Sequence, residues 1–284
     1  FSATVSDLNF TGSSTFIHNG TGFTDSDIVA SNSGTFVWQT SANPGLTSLL
    51  VQNTGAFEMR RAGVIDIATV TVQSGGNLTH TANPSGASKV YELNINDTTI
   101  DVQTDGTVNV KGKGFIAGYG TGKGNGTAQG GGGGYGGNGG GGTGGTGGVT
   151  YGSVKQPTDL GSGGSAQGTI GSGGGAIKLV ASGTLTVNGT MSANGNDGDG
   201  SSGGGASGGS VCLDSGRLAG SCTITSAGGN GAQSAGGGAG GRIAVYYNTN
   251  SSTLISGNKL NAFPGTNWPG AGGAGSVFYD DKDD

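Results

Sequence analysis

Gly34-Thr-Phe-Val-Trp38, Gly55-Ala-Phe-Glu-Met59 and Gly76-Asn-Leu-Thr-His80 recur at one constant interval, and a weaker copy, Gly12-Ser-Ser-Thr-Phe16, precedes them at nearly the same interval. Each copy opens on a glycine and runs into a short strand-like segment. A second alternating stretch follows: Thr47 to Gln52, Val64 to Gln73, and Tyr91 to Thr99. Within these regions Thr69-Val-Thr-Val-Gln73 and Asp101-Val-Gln-Thr104 alternate with the period of two that marks a half-buried strand. A constant period of roughly 20 residues with two or three short strands is the content of one coil of a parallel β-helix. A single coil cannot bury its apolar face, so the copies must stack.

The second half carries a longer period. Ala176-Ile-Lys-Leu179, Ser210-Val-Cys-Leu213, Arg242-Ile-Ala-Val245 and Ser276-Val-Phe-Tyr279 each follow a glycine, and their starts are almost evenly spaced. Gly106-Thr-Val-Asn-Val110 reads as an equivalent of Gly183-Thr-Leu-Thr-Val187. Glycine-rich runs recur beside these strands: Gly130–Gly148, Gly203–Gly209, Gly236–Gly241 and Gly270–Gly275. Two readings of the runs stand. One is a flexible linker. The other is a packed bundle of polyglycine-II strands, with three residues per turn and close backbone contact. A linker belongs between domains, so recurrence in step with strands favours order. Collagen is excluded, because no strict glycine triplet persists and there are only 5 prolines.

Composition agrees. Glycine supplies 68 of 284 residues and charged residues 10%, against roughly 7% and 25% in ordinary proteins. Glycine costs a helix about 1 kcal/mol per residue, and the strong helix formers are scarce. A net charge of −5 argues against nucleic acid, which demands clustered Lys and Arg. No apolar run approaches a membrane span. No signal-type segment is evident, so the chain reads as a mature or excised product.

Candidate sites are few. Asp197 and Asp199, in Asn196-Asp-Gly-Asp-Gly200, form an oxygen-rich bend of the kind Ca²⁺ uses, and a plain turn is the competing reading. Cys212 and Cys222 are separated by Ser-Gly and Ala-Gly turn material, which suits a hairpin disulfide in an oxidising compartment; two free buried thiols are the alternative. The close carboxylate pairs Asp25/Asp27, Asp97/Asp101 and Asp197/Asp199 lack an aligned basic partner, so no enzyme is expected. His18 and His80 read as polar surface positions. Matches to G-x-G-x-x-G are expected by chance at this glycine content, and none opens a helix.

From Gly106 to Tyr279 the chain resembles the glycine-rich modules of very large bacterial surface proteins. The residues that carry this are Tyr151-Gly-Ser-Val-Lys-Gln-Pro-Thr-Asp-Leu-Gly-Ser-Gly-Gly164, the run Gly183-Thr-Leu-Thr-Val-Asn-Gly-Thr-Met-Ser-Ala-Asn-Gly195, and Gly240-Gly-Arg-Ile-Ala-Val-Tyr-Tyr247. The glycine tract is also similar to the polyglycine-II sandwich of some phage tail-fibre adhesins. The resemblance implies an extracellular location, an adhesive or scaffold role, and no catalytic residues.

The expectation is an all-β, elongated parallel β-helix or β-solenoid-like stack with a glycine-rich polyglycine-II layer. Residues 1–105 form its repeat region, and residues 106–284 form a glycine-rich β-repeat region continuous with the first. The expected role is an extracellular structural subunit of a filament or matrix, with the chain itself as partner. Phe1, Ala3 and Val5 form one apolar face of a terminal strand that connects copies head to tail. An adhesin for a host surface or glycan is the alternative, and an ice-binding protein the lesser one. Apart from Ca²⁺ no cofactor is expected.

Overall fold

The computed structural model describes residues 7–20, 26–43, 45–86, 88–126, 128–165, 171–200 and 202–284. Among them the regular structure is all strand, and the chain alternates between two sheets. The first sheet holds β1 (Asp7–Phe10), β3 (Asp27–Ala30), β5 (Leu46–Val51), β7 (Ile65–Val72), β9 (Leu93–Val102), β11 (Ala176–Val187), β13 (Ser210–Gly220), β15 (Arg242–Asn250) and β17 (Ser276–Asp281). The second holds β2 (Thr15–His18), β4 (Thr35–Trp38), β6 (Ala56–Met59), β8 (Asn77–His80), β10 (Thr107–Asn109), β12 (Thr190–Ser192), β14 (Ile224–Thr225) and β16 (Leu260–Asn261). Strand order within each sheet follows the chain, as a two-sheet solenoid requires. Nine strands at about 4.8 Å spacing make a stack roughly 38 Å tall.

The sequence repeats are the register. In the second sheet Phe16, Phe36, Phe57, Leu78, Val108, Met191, Ile224 and Leu260 pair in one ladder. In the first, Ala176, Ser210, Arg242 and Ser276 pair in line, so the longer sequence period marks successive rungs. Ladders of this kind close one core between the sheets, from Ile28 to Ala262. Each fully buried Leu, Ile, Val or Phe contributes about 1.5–3 kcal/mol. Both sheets pass residue 105 without a break, since β9 pairs with β11 and β10 joins β8 to β12.

The corners explain the leading glycines. The N–H of Gly34, Gly55 and Gly76 each bonds the carbonyl three residues back, at 2.9, 2.8 and 2.9 Å. A Cβ on Gly55 would stand 2.2 Å from the Ala30 carbonyl oxygen of the rung below. Only glycine fits that spacing. One expected equivalence fails: Gly183–Val187 lies within β11 of the first sheet, while Thr107 of β10 pairs with Thr190 in the second. Both segments are glycine-led alternating strands, and alternation does not say which sheet a strand joins.

From β10 onward the return corner expands into glycine-rich excursions. Their hydrogen bonds have a period of three. Gly132, Gly133 and Gly134 donate in turn to Gly140, Gly205 and Gly122, three different neighbours. Three residues along, each direction repeats: Gly130 donates to Ser202 and Gly133 to Gly205, while Gly237 donates to Gly270 and Gly240 to Gly273. A strand whose donors rotate by one third of a turn per residue is polyglycine II. The separation is closer than any side chain permits, as a Cβ on Gly148 would fall 1.7 Å from the Gly122 oxygen.

Candidate functional site

Buried polar side chains tie β8 to the start of β11 and the glycine layer to the solenoid. His80, at the end of β8, is fully buried, and its Nδ1–H donates to the Thr81 carbonyl at 2.7 Å. That bond leaves Nε2 free to accept the Ala176 N–H at 3.3 Å, where β11 begins. Burial pushes the imidazole down to about 4, so it is neutral. Arg242, the first residue of β15, is buried with its guanidinium over the Tyr135 ring, 5.3 Å from the centroid. It donates to the carbonyls of Tyr151 at 2.7 Å and Tyr135 at 3.3 Å, and to Ser276 Oγ at 3.0 Å. Tyr135 and Ser210 join hydroxyls at 2.6 Å, and Ser210 Oγ donates to the Asp159 carbonyl at 2.5 Å.

The histidines therefore correct the sequence reading, which put His18 and His80 on the surface. Both are buried, because the register places them in one column with Trp38 and Met59. The expected disulfide is likewise corrected: Cys212 and Cys222 are free. The material between them is the body of β13 and not a turn, so the two lie roughly 30 Å apart, against the ~7 Å that a bridge tolerates. Cys212 sits beside Lys178, Asp214 and Tyr246 under Gln156 and Thr158, while Cys222 belongs to the core. Burial raises both thiols, that of Cys222 to about 12.

Asp197 Oδ1 accepts the Asn230 N–H at 2.6 Å, and Asn230 Oδ1 accepts the Thr266 N–H at 2.8 Å. The bend at Asn196–Gly200 thus ties the tips of neighbouring glycine excursions together. Among the described residues no three His, Cys, Asp or Glu converge as a metal cluster. Phe1, Ala3 and Val5 lie outside the described residues, as does Asp25.

A groove of about 440 Å³ opens where the first sheet bends. The bend is a bulge in β11, where Ser182 and Gly183 face the single residue Thr98 of β9. Leu46 and Thr47, Asp66 to Ala68, Asn96 to Thr98, and Ser182 line the groove. Asp97 is buried, in register with Ile67 and Ala181. Its Oδ1 accepts the Thr99 N–H at 2.9 Å, and its Oδ2 has no hydrogen-bond partner. Burial raises this carboxyl to about 6, against the pull of the Thr99 and Thr98 N–H groups. Asp66, in contrast, has a donor on each oxygen: Asn43 Nδ2 donates to one at 2.6 Å and Asn96 Nδ2 to the other at 2.9 Å. Sequence reasoning weighed Asp97 only as a partner of Asp101. Its place in a column of apolar residues was the available clue.

Both ends of the stack carry exposed apolar side chains. Phe16 and Ile17 mark the β2 end, and Val277 and Tyr279 the β17 end. There Leu254, Ile255, Asn258, Leu260, Val277 and Tyr279 line a second hollow of about 250 Å³. On the last glycine excursion Phe263 is 64% and Trp268 75% exposed. Among the described residues no helix is long and apolar enough to cross a membrane. No family model, curated protein or solved structure matches the chain.

Proposed function

We propose that this chain is a non-enzymatic building block of an extracellular filament or matrix, in which the rungs of one copy continue those of the next. The observation that carries this reading is the unbroken parallel register from β1 to β17 and from β2 to β16. Every rung is a template for the rung above it. An end strand presents unpaired N–H and C=O groups along its edge, and such edges recruit further strands. Phe16 and Ile17 at one end and Val277 and Tyr279 at the other would be covered by the same step. A head-to-tail contact of this kind repeats without closing, so it yields filaments. The extracellular placement rests on composition and on the resemblance of residues 106–279, since the free cysteines lend it no support.

Sedimentation of the purified chain over a wide concentration range, with negative-stain microscopy, tests the proposal. Growth into filaments is expected, and Val277→Asp combined with Tyr279→Lys should shorten them without unfolding the subunit. A monomer at every concentration would contradict the reading. It would favour an adhesive role instead, for which exposed Trp268 and Phe263 on an ordered glycine scaffold are the motivating feature.

A further inference from the structure

We propose that copies of this chain join by strand exchange: β17 of one copy takes the place of β1 in the next, pairs with that copy's β3, and releases its β1. This rests on the filament reading above and specifies the joint.

The argument starts from the strand count. Among the described residues the first sheet has nine strands and the second eight, so β17 has no strand opposite it across the core. If β17 simply stacked against the next β1, a place one strand wide would stay empty between β16 and the next β2. Seating the next β2 directly on β16 closes that gap, but β1 and β17 then claim one position. An unbroken pair of sheets admits only one of them.

β17 carries the same pattern as β1. Asp7-Leu-Asn-Phe10 and Ser276-Val-Phe-Tyr279 each place an aliphatic and an aromatic residue two apart. Leu8 and Phe10 are in register with the buried Ile28 and Ala30 of β3, and Val277 and Tyr279 with the buried Ile243 and Val245 of β15. Val277 and Tyr279 thus stand in core columns, yet they are 41% and 54% exposed. One difference favours β17. β1 sets Asp7 in register with Asp27, and like charges on facing positions of neighbouring strands are destabilising. In the same alignment β17 brings the uncharged Ser276 to Asp27. In the second sheet the exchange sets the exposed Phe16 of the next copy over Leu260, at the two ends of one ladder. Phe16 then closes the hollow of about 250 Å³ lined by Leu254, Leu260, Val277 and Tyr279.

Two measurements test the exchange. Sedimentation compares the full chain with one lacking residues 1–10. The deletion removes the competing strand, so assembly should begin at a concentration lower by about tenfold or more. Equal or weaker assembly of the folded deletion variant would overturn the exchange and leave the filament reading standing. No assembly of either chain at any concentration would overturn both. The second measurement uses full-length chains and stands even where the deletion variant folds poorly. Exchange makes residue 278 of one copy the parallel neighbour of residue 29 of the next, about 4.8 Å away and inside the ~7 Å limit of a disulfide. With β1 retained the two are separated by two strand spacings, roughly 9.6 Å. Phe278→Cys mixed with Val29→Cys should therefore cross-link on mild oxidation, and Phe278→Cys mixed with Asn9→Cys should not. The opposite pattern would overturn the proposal.

Discussion

His80 and Asp97 are buried titrating groups that act in opposite directions. His80 has a folded value of about 4 against an ordinary 6.5. Below pH 6.5 the unfolded chain therefore takes up a proton that the folded chain refuses. Stability from this residue is complete above about 6.5 and falls by about 3 kcal/mol as pH drops to about 4. Asp97 is raised to about 6 from 3.8, so the folded state binds its proton more tightly. Stability from this residue rises as pH falls from about 6 toward 4. The two trends offset each other between pH 4 and 6. Denaturant titrations should find the wild type losing less stability over that range than His80 alone would remove. Asp97→Asn should expose the His80 slope, a steady loss of about 3 kcal/mol from pH 6.5 to 4. A variant that loses no more than the wild type would show that His80 titrates normally. The burial of His80 was partly legible in the sequence. It occupies the last place of the glycine-led copy, where Trp38 and Met59 stand in the earlier rungs. A polar residue in an apolar column is a buried polar residue, and the solvent-exposed reading neglected its column.

Among elements, the repeats were the legible part because glycine is needed wherever one rung turns close above another. The short period of the first half and the longer one of the second both matched true strand partners for that reason. The Cys212–Cys222 segment was misread for the same reason. Gly216 and Gly220 look like turn residues, yet they are strand positions pressed against the preceding rung, where a Cβ would meet Ser182 and Val187 oxygens at 2.5 and 2.1 Å. The glycine layer makes this steric requirement testable residue by residue. A Cβ on Gly148 would fall 1.7 Å from the Gly122 oxygen, whereas one on Gly141 would meet nothing nearer than 3.6 Å. Gly148→Ala should cost about 3 kcal/mol or more, or prevent folding. Gly141→Ala should be within about 1 kcal/mol of wild type. Thermal melts of the pair read the difference directly. Equal tolerance at both positions would mean that the excursions are not packed.

For the whole molecule, the question is whether the glycine layer and the solenoid are one body. Arg242 belongs to β15 yet spends its guanidinium on Tyr135, Thr150 and Tyr151 of the long excursion. Nothing in the sequence marked this arginine beyond its place at the head of a strand, since its partners there are far away along the chain. The layer's backbone bonds run both within the long excursion and between excursions that belong to successive rungs, with Ser162, Ser165 and Ser207 hydroxyls accepting further N–H groups. Removing the fork with Arg242→Met should therefore loosen the layer before the solenoid. Segment-resolved hydrogen exchange of the unaltered protein is the most direct test of the ordered layer. Amides of residues 130–148 should be protected to nearly the same free energy as those of β11, because both open only on global unfolding. Exchange of that stretch at random-coil rates, with β11 still protected, would contradict an ordered polyglycine layer.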